Sequence, residues 1–497
     1  MKQPNSILKI KNVICLCVFF SSVQLYAQGY GQPLTMQGIN HLSVTSTASR
    51  SAGGITTGIQ NDISIMFSNP AMLQSLQSLQ VTFGGLYQSW NAEQTQQWIP
   101  LRYLSNFSLL MEGLTDSLSD PIPDSDLSRA LGPEDSIQRP YDSIKPNWAR
   151  SKKYTFPLQA FLAVPFSVGG FSFVAGAGVV EYANLNYYFQ NNNVLSPSIG
   201  SQRPYGIHLP GLNDTVYVKW SQYSQSREGS IWGYGSALSM AISNKFSIGF
   251  SGQILSGTSD DIETEVGRGR LRFGNNSQRY YFVNDSVDYQ VVKTGTSEYS
   301  GMELAVSAIL KGKYVSISGV LKAPSTITRK YKTTSNIDSI SLSISQTLNE
   351  EDEIFLPWRG TIGLSLAVRE DLTFGLEYEF KPYSSATYKD AQGIESKPWL
   401  SSSVLHAGFI FTPQSWLTLR GGYFEQSEVF EPTGNPLIGD PVTYAVYSLG
   451  CGFLFGGIRL NIGYEYSLMK YQDLWQTNIN LNSEKHQNIF ADISYIF

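Results

Sequence analysis

Between residues 444 and 467 the chain alternates strictly. Tyr447, Leu449, Cys451, Phe453 and Phe455 interleave with Ser448, Gly450, Gly452 and Leu454 on the way in, and Leu460, Ile462, Tyr464 and Tyr466 with Arg459, Asn461, Gly463 and Glu465 on the way out. A period of two on either side of Gly456-Gly457 predicts a β-hairpin, the two glycines supplying the positive φ angles of a primed turn. One face is apolar and aromatic; the other is small, polar or charged. In water the apolar face would pack on a core. Here the opposite face is as poor in large apolar groups as a water-filled lumen, which is the pattern of a transmembrane β-barrel, apolar outside and polar inside.

The same rhythm recurs along the chain. Short turns at 167–170, 243–245, 311–313, 369–371 and 412–415 join 156–166 to 171–180, 232–242 to 246–255, 302–310 to 314–322, 361–368 to 372–380, and 403–411 to 416–424. With the hairpin at 444–467, a first strand at 79–87 and a last at 487–497, the expected number is fourteen. An even number brings both chain ends to the periplasmic side, as bacterial barrels require. The other connections, roughly 90–153, 190–229, 257–299, 324–356, 385–401, 426–443 and 468–485, are long and polar, which places them outside the cell. Within the first of them, 98–111 and 127–131 predict short helices over the barrel mouth. In the last strand Ile489, Ala491, Ile493, Tyr495 and the terminal Phe497 form one apolar row. Such an ending resembles the signal by which barrel-assembly machinery recognises outer-membrane proteins, so that machinery is an expected partner.

The N-terminus and the composition fit this picture. Lys2, Lys9 and Lys11 precede a short apolar stretch at 13–23 and the small-residue exit Leu25-Tyr26-Ala27. This reads as a secretory signal peptide over 1–27, too short to span a membrane. Cys15 and Cys17 lie within it, leaving Cys451 as a small apolar residue in a lipid-facing row, with no internal disulfide. No later apolar stretch has the length of a transmembrane helix. Charged residues make up 15% of the chain, below the roughly 25% of soluble domains. The net charge is −5 with no basic block, so nothing points to a nucleic-acid partner.

Residues 28–75 precede the first strand and predict a compact segment filling the lumen, with a short helix after Asn69 because proline favours the first helical position. Here the sequence resembles the OmpP1/FadL/TodX-type outer-membrane transporters: a small-residue stretch with Arg50, then Asp62, then Phe67, Asn69, Pro70, Ala71 and Leu73 before the first strand. Met72 stands where that family often has glycine. The resemblance implies an all-β, antiparallel barrel of about fourteen strands over 76–497 with an N-terminal plug, in the outer membrane. It also implies passive uptake of hydrophobic or amphipathic small molecules, such as long-chain fatty acids, by a monomer needing no cofactor. In that family the ligand leaves sideways into the membrane lipids where the plug lies beside a kinked third strand. The corresponding strand here carries Gly176 and Gly178 in its lumen row, and glycine in a strand marks a bulge or a close backbone approach. Pro157 and Pro165 in the neighbouring strand each lack a ladder donor.

Catalytic chemistry has little support. His41, His208, His406 and His486 are scattered, none at metal-ligand spacing, and no Gly-x-Ser-x-Gly occurs. The lumen row carries Glu303, Lys322, Glu377, Glu379, Arg420, Arg459, Glu465 and Asp492. These can pair with one another, or Arg420, Arg459 or Lys322 can meet a ligand carboxylate, a guanidinium being suited to that by its bidentate donors. Asp-Ser/Thr-aliphatic triplets at 116–118, 135–137, 142–144, 214–216, 285–287 and 338–340 fall only in predicted loops. They resemble O-glycosylation acceptors, or reflect the ordinary loop preference of Asp and Ser. Two functions lead, an uptake channel or a barrel partner in protein secretion or surface attachment; an embedded hydrolase would need a Ser-His or Asp-His pair at the barrel mouth.

Overall fold

The computed structural model describes residues 39, 41, 46–97, 142–192, 194–195, 212, 215–285, 289–339, 342–430, 442–475 and 478–497. The signal peptide, the loop pieces 98–111 and 127–131, and the triplets at 116–118 and 135–137 lie outside them, as do parts of the last three triplets. One antiparallel sheet closes on itself as a barrel of fourteen strands. In order these are Gln80–Gln97, Trp148–Val168, Phe171–Asn184 (continued as Tyr187–Asn192), Thr215–Ala241, Phe246–Asn275, Tyr289–Lys311, Val315–Lys322 (continued as Ser325–Ser339), Leu342–Leu356 (continued as Arg359–Arg369), Leu372–Phe380, Val404–Gln414, Leu417–Ser427, Thr443–Phe455, Ile458–Trp475 and Asn478–Ile496. The first strand pairs with the last from Gln80 opposite Ile496 to Gln97 opposite Ile479, so no edge is left. Closure pairs the strands around the whole circumference at bilayer height, which is the condition for a sheet to cross a bilayer.

The alternation sorts as expected. Leu449 is 63% exposed on the outer wall while Ser448 is 2% exposed inside. At the periplasmic turns glycine acts in two ways. Gly169 and Gly170 both take positive φ (+59° and +83°), as a primed turn needs. At the last hairpin only Gly456 does so, at +59°. Gly457 is instead required by proximity: a Cβ there would lie 2.5 Å from the Ile496 carbonyl oxygen.

The strands are longer than alternation alone suggests. The fourth and fifth have 27 and 30 residues, against about 9–11 needed to cross the bilayer. Much of what reads as loop at 190–229, 257–299, 324–356 and 468–485 is therefore strand. The reason is physical: above the bilayer the outer face no longer meets lipid, so apolar/polar alternation fades while Thr, Val and Ile keep their fit to a pleated sheet. The seventh and eighth strands are interrupted together, around Pro324 and Pro357, which cannot donate to a ladder.

Residues 46–76 pack inside this wall. They form a short helix at Thr47–Ser51, capped by Ser46 accepting from the Ser49 amide, and two 3-10 turns at Ile63–Ile65 and Pro70–Ser75. Proline does open the second turn after Asn69. We expect Gly170→Val to destabilise the barrel by about 1–2 kcal/mol through left-handed backbone strain. Gly319→Val, on the open outer wall, should be near neutral. Urea unfolding of both variants in lipid vesicles checks the difference.

Candidate functional site

The site is the interior, where the segment 46–76 meets the wall. A row of inward glycines makes the meeting possible. A Cβ on Gly408 or Gly422 would collide with the backbone at Ala52 and Gly53, one on Gly249 with Pro70 and Ala71, and one on Gly450 or Gly463 with Ser51. The chain therefore lies backbone to backbone against the strands, and its polar groups need partners from the wall. Glu377 Oε1 accepts from the Thr56 amide at 2.6 Å and from the Thr57 amide at 2.5 Å, and also takes both threonine hydroxyls. Ser307 Oγ accepts from the Ala71 amide at 2.7 Å, and Ser448 Oγ from the Gly53 amide at 2.9 Å. His406 Nδ1 meets the Gly53 carbonyl at 2.8 Å, a buried structural contact.

The residues singled out in the N-terminal motif all sit at this interface. Arg50 lies over the Phe490 ring and forms a bidentate pair with Glu465. Asp62 accepts from Ser46 Oγ at 2.5 Å and from the Ser64 amide at 2.9 Å, tying the first helix to the first 3-10 turn. Asn69 donates to Thr56 Oγ1 and Ser318 Oγ, both at 3.2 Å. Pro70 and Ala71 rest on Gly249. Phe67 packs with Met66, Phe161, Val174 and Val180.

The three cations nominated for a ligand carboxylate already have partners. Lys322 Nζ lies 2.8 Å from Glu303 Oε1, and Arg359 Nη2 lies 2.9 Å from Glu303 Oε2. Arg459 donates to the Asn61 carbonyl. Arg420 donates to Asn461 Oδ1 at 3.1 Å, and Asn461 in turn to Asp492 Oδ1 at 2.8 Å. Glu379 pairs with Lys381 at 3.3 Å.

Alternation also conceals two features. Residues buried along the inner faces of successive strands, including Ile231, Leu255, Ile327 and Ile354, join Leu185 and Trp399 from the connecting segments in one apolar cluster. It borders the charged group at Glu303, to whose Oε2 Tyr182 donates at 2.9 Å. The second feature is a seam. Pairing between the second and third strands runs from Val168 opposite Phe171 only to Gln159 opposite Val180. Beyond it the second strand pairs with the first, and the third with the fourth. The register of the third strand slips between Glu181 and Ala183, and that of the first strand slips at Gly84/Gly85 opposite Pro157. Such bulges turn strands apart. Gly176 and Gly178 lie below the seam, in intact ladder, where they admit Met66 and the Phe161 ring.

The seam's far end is stitched by side chains: Trp148 Nε1 donates to the Gln190 carbonyl at 2.7 Å, and Arg150 stacks 3.7 Å from the Tyr188 ring. Lys152 crosses to Glu228 on the fourth strand. Tyr182, Ala183 and Leu185, on the third strand's side of the seam, belong to the interior apolar cluster.

A fourteen-strand closed barrel with an apolar outer wall is an outer-membrane β-barrel, and its fold is the FadL type. A FadL homologue of Pseudomonas aeruginosa superposes with a TM-score of 0.54 and 13% identity over 92% of this chain and 99% of that one. The toluene transporter TodX of P. putida gives 0.52 and 12%, over 92% and 99%. At such identities the likeness is one of fold. No family model matches the sequence, and no curated protein does.

Glu377→Ala should strand two buried amides, at about 1–3 kcal/mol each, and loosen residues 46–76 while leaving the wall folded. Glu377→Gln, which keeps an acceptor, should act more weakly. The readout is single-channel conductance in planar bilayers, expected to rise for Glu377→Ala; unchanged conductance would show that Glu377 does not hold the segment.

Proposed function

We propose that this barrel takes hydrophobic small molecules from outside into the outer membrane without an energy source, and that they leave through the wall at the seam between the second and third strands. The observation that carries the reading is the continuity of the interior apolar cluster with Tyr182, Ala183 and Leu185 at that seam. Residues 46–76 act as the plug, with Phe67 and Met66 packed at the seam's base. The family resemblance suggests fatty acids. Lys322, Arg420 and Arg459, however, already serve Glu303, Asn461 and the Asn61 carbonyl. A cargo with no carboxylate fits this interior better, because it needs no cation withdrawn from the lumen network. TodX, which shares the fold, is described as a toluene transporter.

A second reading, a docking barrel for secretion or surface attachment, draws on the tall wall of the fourth and fifth strands. Such a barrel needs no apolar interior.

Leu185→Asp separates the two. A buried carboxylate in the apolar cluster should lower uptake of a radiolabelled monoaromatic compound by whole cells by roughly tenfold, since an unpaired charge is costly in apolar surroundings. The variant's shift between heated and unheated gel mobility reports that the barrel is folded. Wild-type uptake no greater than that of cells lacking the protein would end the channel reading.

A further inference from the structure

The outer wall carries a groove that the transport reading does not use. Its volume is about 630 Å³ and its lining comes from the fifth to ninth strands, chiefly Phe250, Val306, Leu321, Ile362, Tyr378 and Phe380. These are large, lipid-facing side chains, each more than a third exposed. Between them stand three small residues, Ala308, Gly319 and Gly360, whose size makes the depression. A Cβ on Gly319 would meet nothing within 4 Å. The volume falls in the range of about 300–1,000 Å³ typical of small-molecule sites, yet the groove faces the bilayer, where an acyl chain is the apolar body at hand.

The position of its lower end selects which lipid. The groove begins at Ile248, just above the turn that holds Lys245, and at Ala308, just above the turn that holds Lys313. These are short periplasmic turns, and the Lys311 amide donates to the Lys245 carbonyl at 2.6 Å, so the two turns lie side by side. Lys245 and Lys313 are exposed, and among the described residues neither has a carboxylate partner. Basic groups beneath an apolar groove at the membrane surface favour an anionic headgroup. We infer that the groove holds one acyl chain of an anionic glycerophospholipid of the periplasmic leaflet, its phosphate lying against Lys245 and Lys313.

Native mass spectrometry of the full-length barrel, purified in mild detergent and titrated with phosphatidylglycerol or phosphatidylethanolamine, tests this. The wild type should retain one phosphatidylglycerol in preference to phosphatidylethanolamine. Gly319→Leu, which fills the groove from an unobstructed position, should lower the retained fraction about tenfold while heat-modifiable mobility stays that of the folded barrel. The Lys245→Gln/Lys313→Gln pair should keep a lipid but lose the preference for phosphatidylglycerol. Equal retention by Gly319→Leu and wild type overturns the groove assignment, and an unchanged preference in the double variant overturns the headgroup assignment. Uptake assays are not involved, so failure here is separate from failure of the channel reading.

Discussion

An irregular piece of backbone lies at bilayer depth inside this barrel, and the amides and carbonyls that its own short turns leave unpaired must be satisfied by the wall. That requirement explains the composition of the inner face. Glycine stands where the segment's backbone presses against a strand, at Gly408, Gly422 and Gly249. Hydrogen-bonding side chains stand where a polar group of the segment would otherwise be stranded, at Glu377, Ser307, Ser448 and His406. Unsatisfied backbone in a low-dielectric interior is costly. The lumen row therefore serves mainly as the complementary half of residues 46–76, and only secondarily as a polar lining.

The charges follow the same logic. Glu465 holds Arg50, Arg459 holds the Asn61 carbonyl, and Glu303 is enclosed by Lys322, Arg359 and Tyr182. A buried carboxylate with two cations and a hydroxyl is compensated, whereas one left alone would not stay ionised there. What is free of charge is the apolar cluster, and it is the inner surface that reaches the break in the wall.

Much of the fold was legible because membrane spanning imposes period two and because Gly169-Gly170 and Gly456-Gly457 mark turns. The N-terminal motif could also be read, since Asn69-Pro70 specifies a turn chemically. The rest was hidden for definite reasons. Strand extensions such as those at 257–275 and 325–339 carry mostly polar residues on their outer face, so little hydropathy contrast marks them. The apolar cluster is assembled from separate strands at matching heights, which depends on register and not on any local run. The seam depends on a slip at Glu181/Ala183 and a skipped residue opposite Gly85. Gly176 and Gly178 lie in the intact ladder below the seam; a glycine signals close approach and cannot say of what. Here the answers are Met66 and Phe161.

The height of the seam bears on what kind of opening it can be. The intact ladder between the second and third strands has ten pairs. At a rise of about 3.3 Å per residue and a tilt of about 40°, that ladder climbs roughly 25 Å from the periplasmic turn. This is about the height of the apolar band of an outer-membrane barrel. The unpaired backbone thus begins at the outer interface, where water can take the place of ladder partners, and not in mid-bilayer, where nothing could. The same pairing that makes the wall impermeable below sets the level at which it can afford to part. A compound leaving by this route would meet the outer leaflet first. The groove on the outer wall, whose lower end lies beside the Lys245 and Lys313 turns, is on different strands. The seam and the groove thus lie on separate parts of one wall.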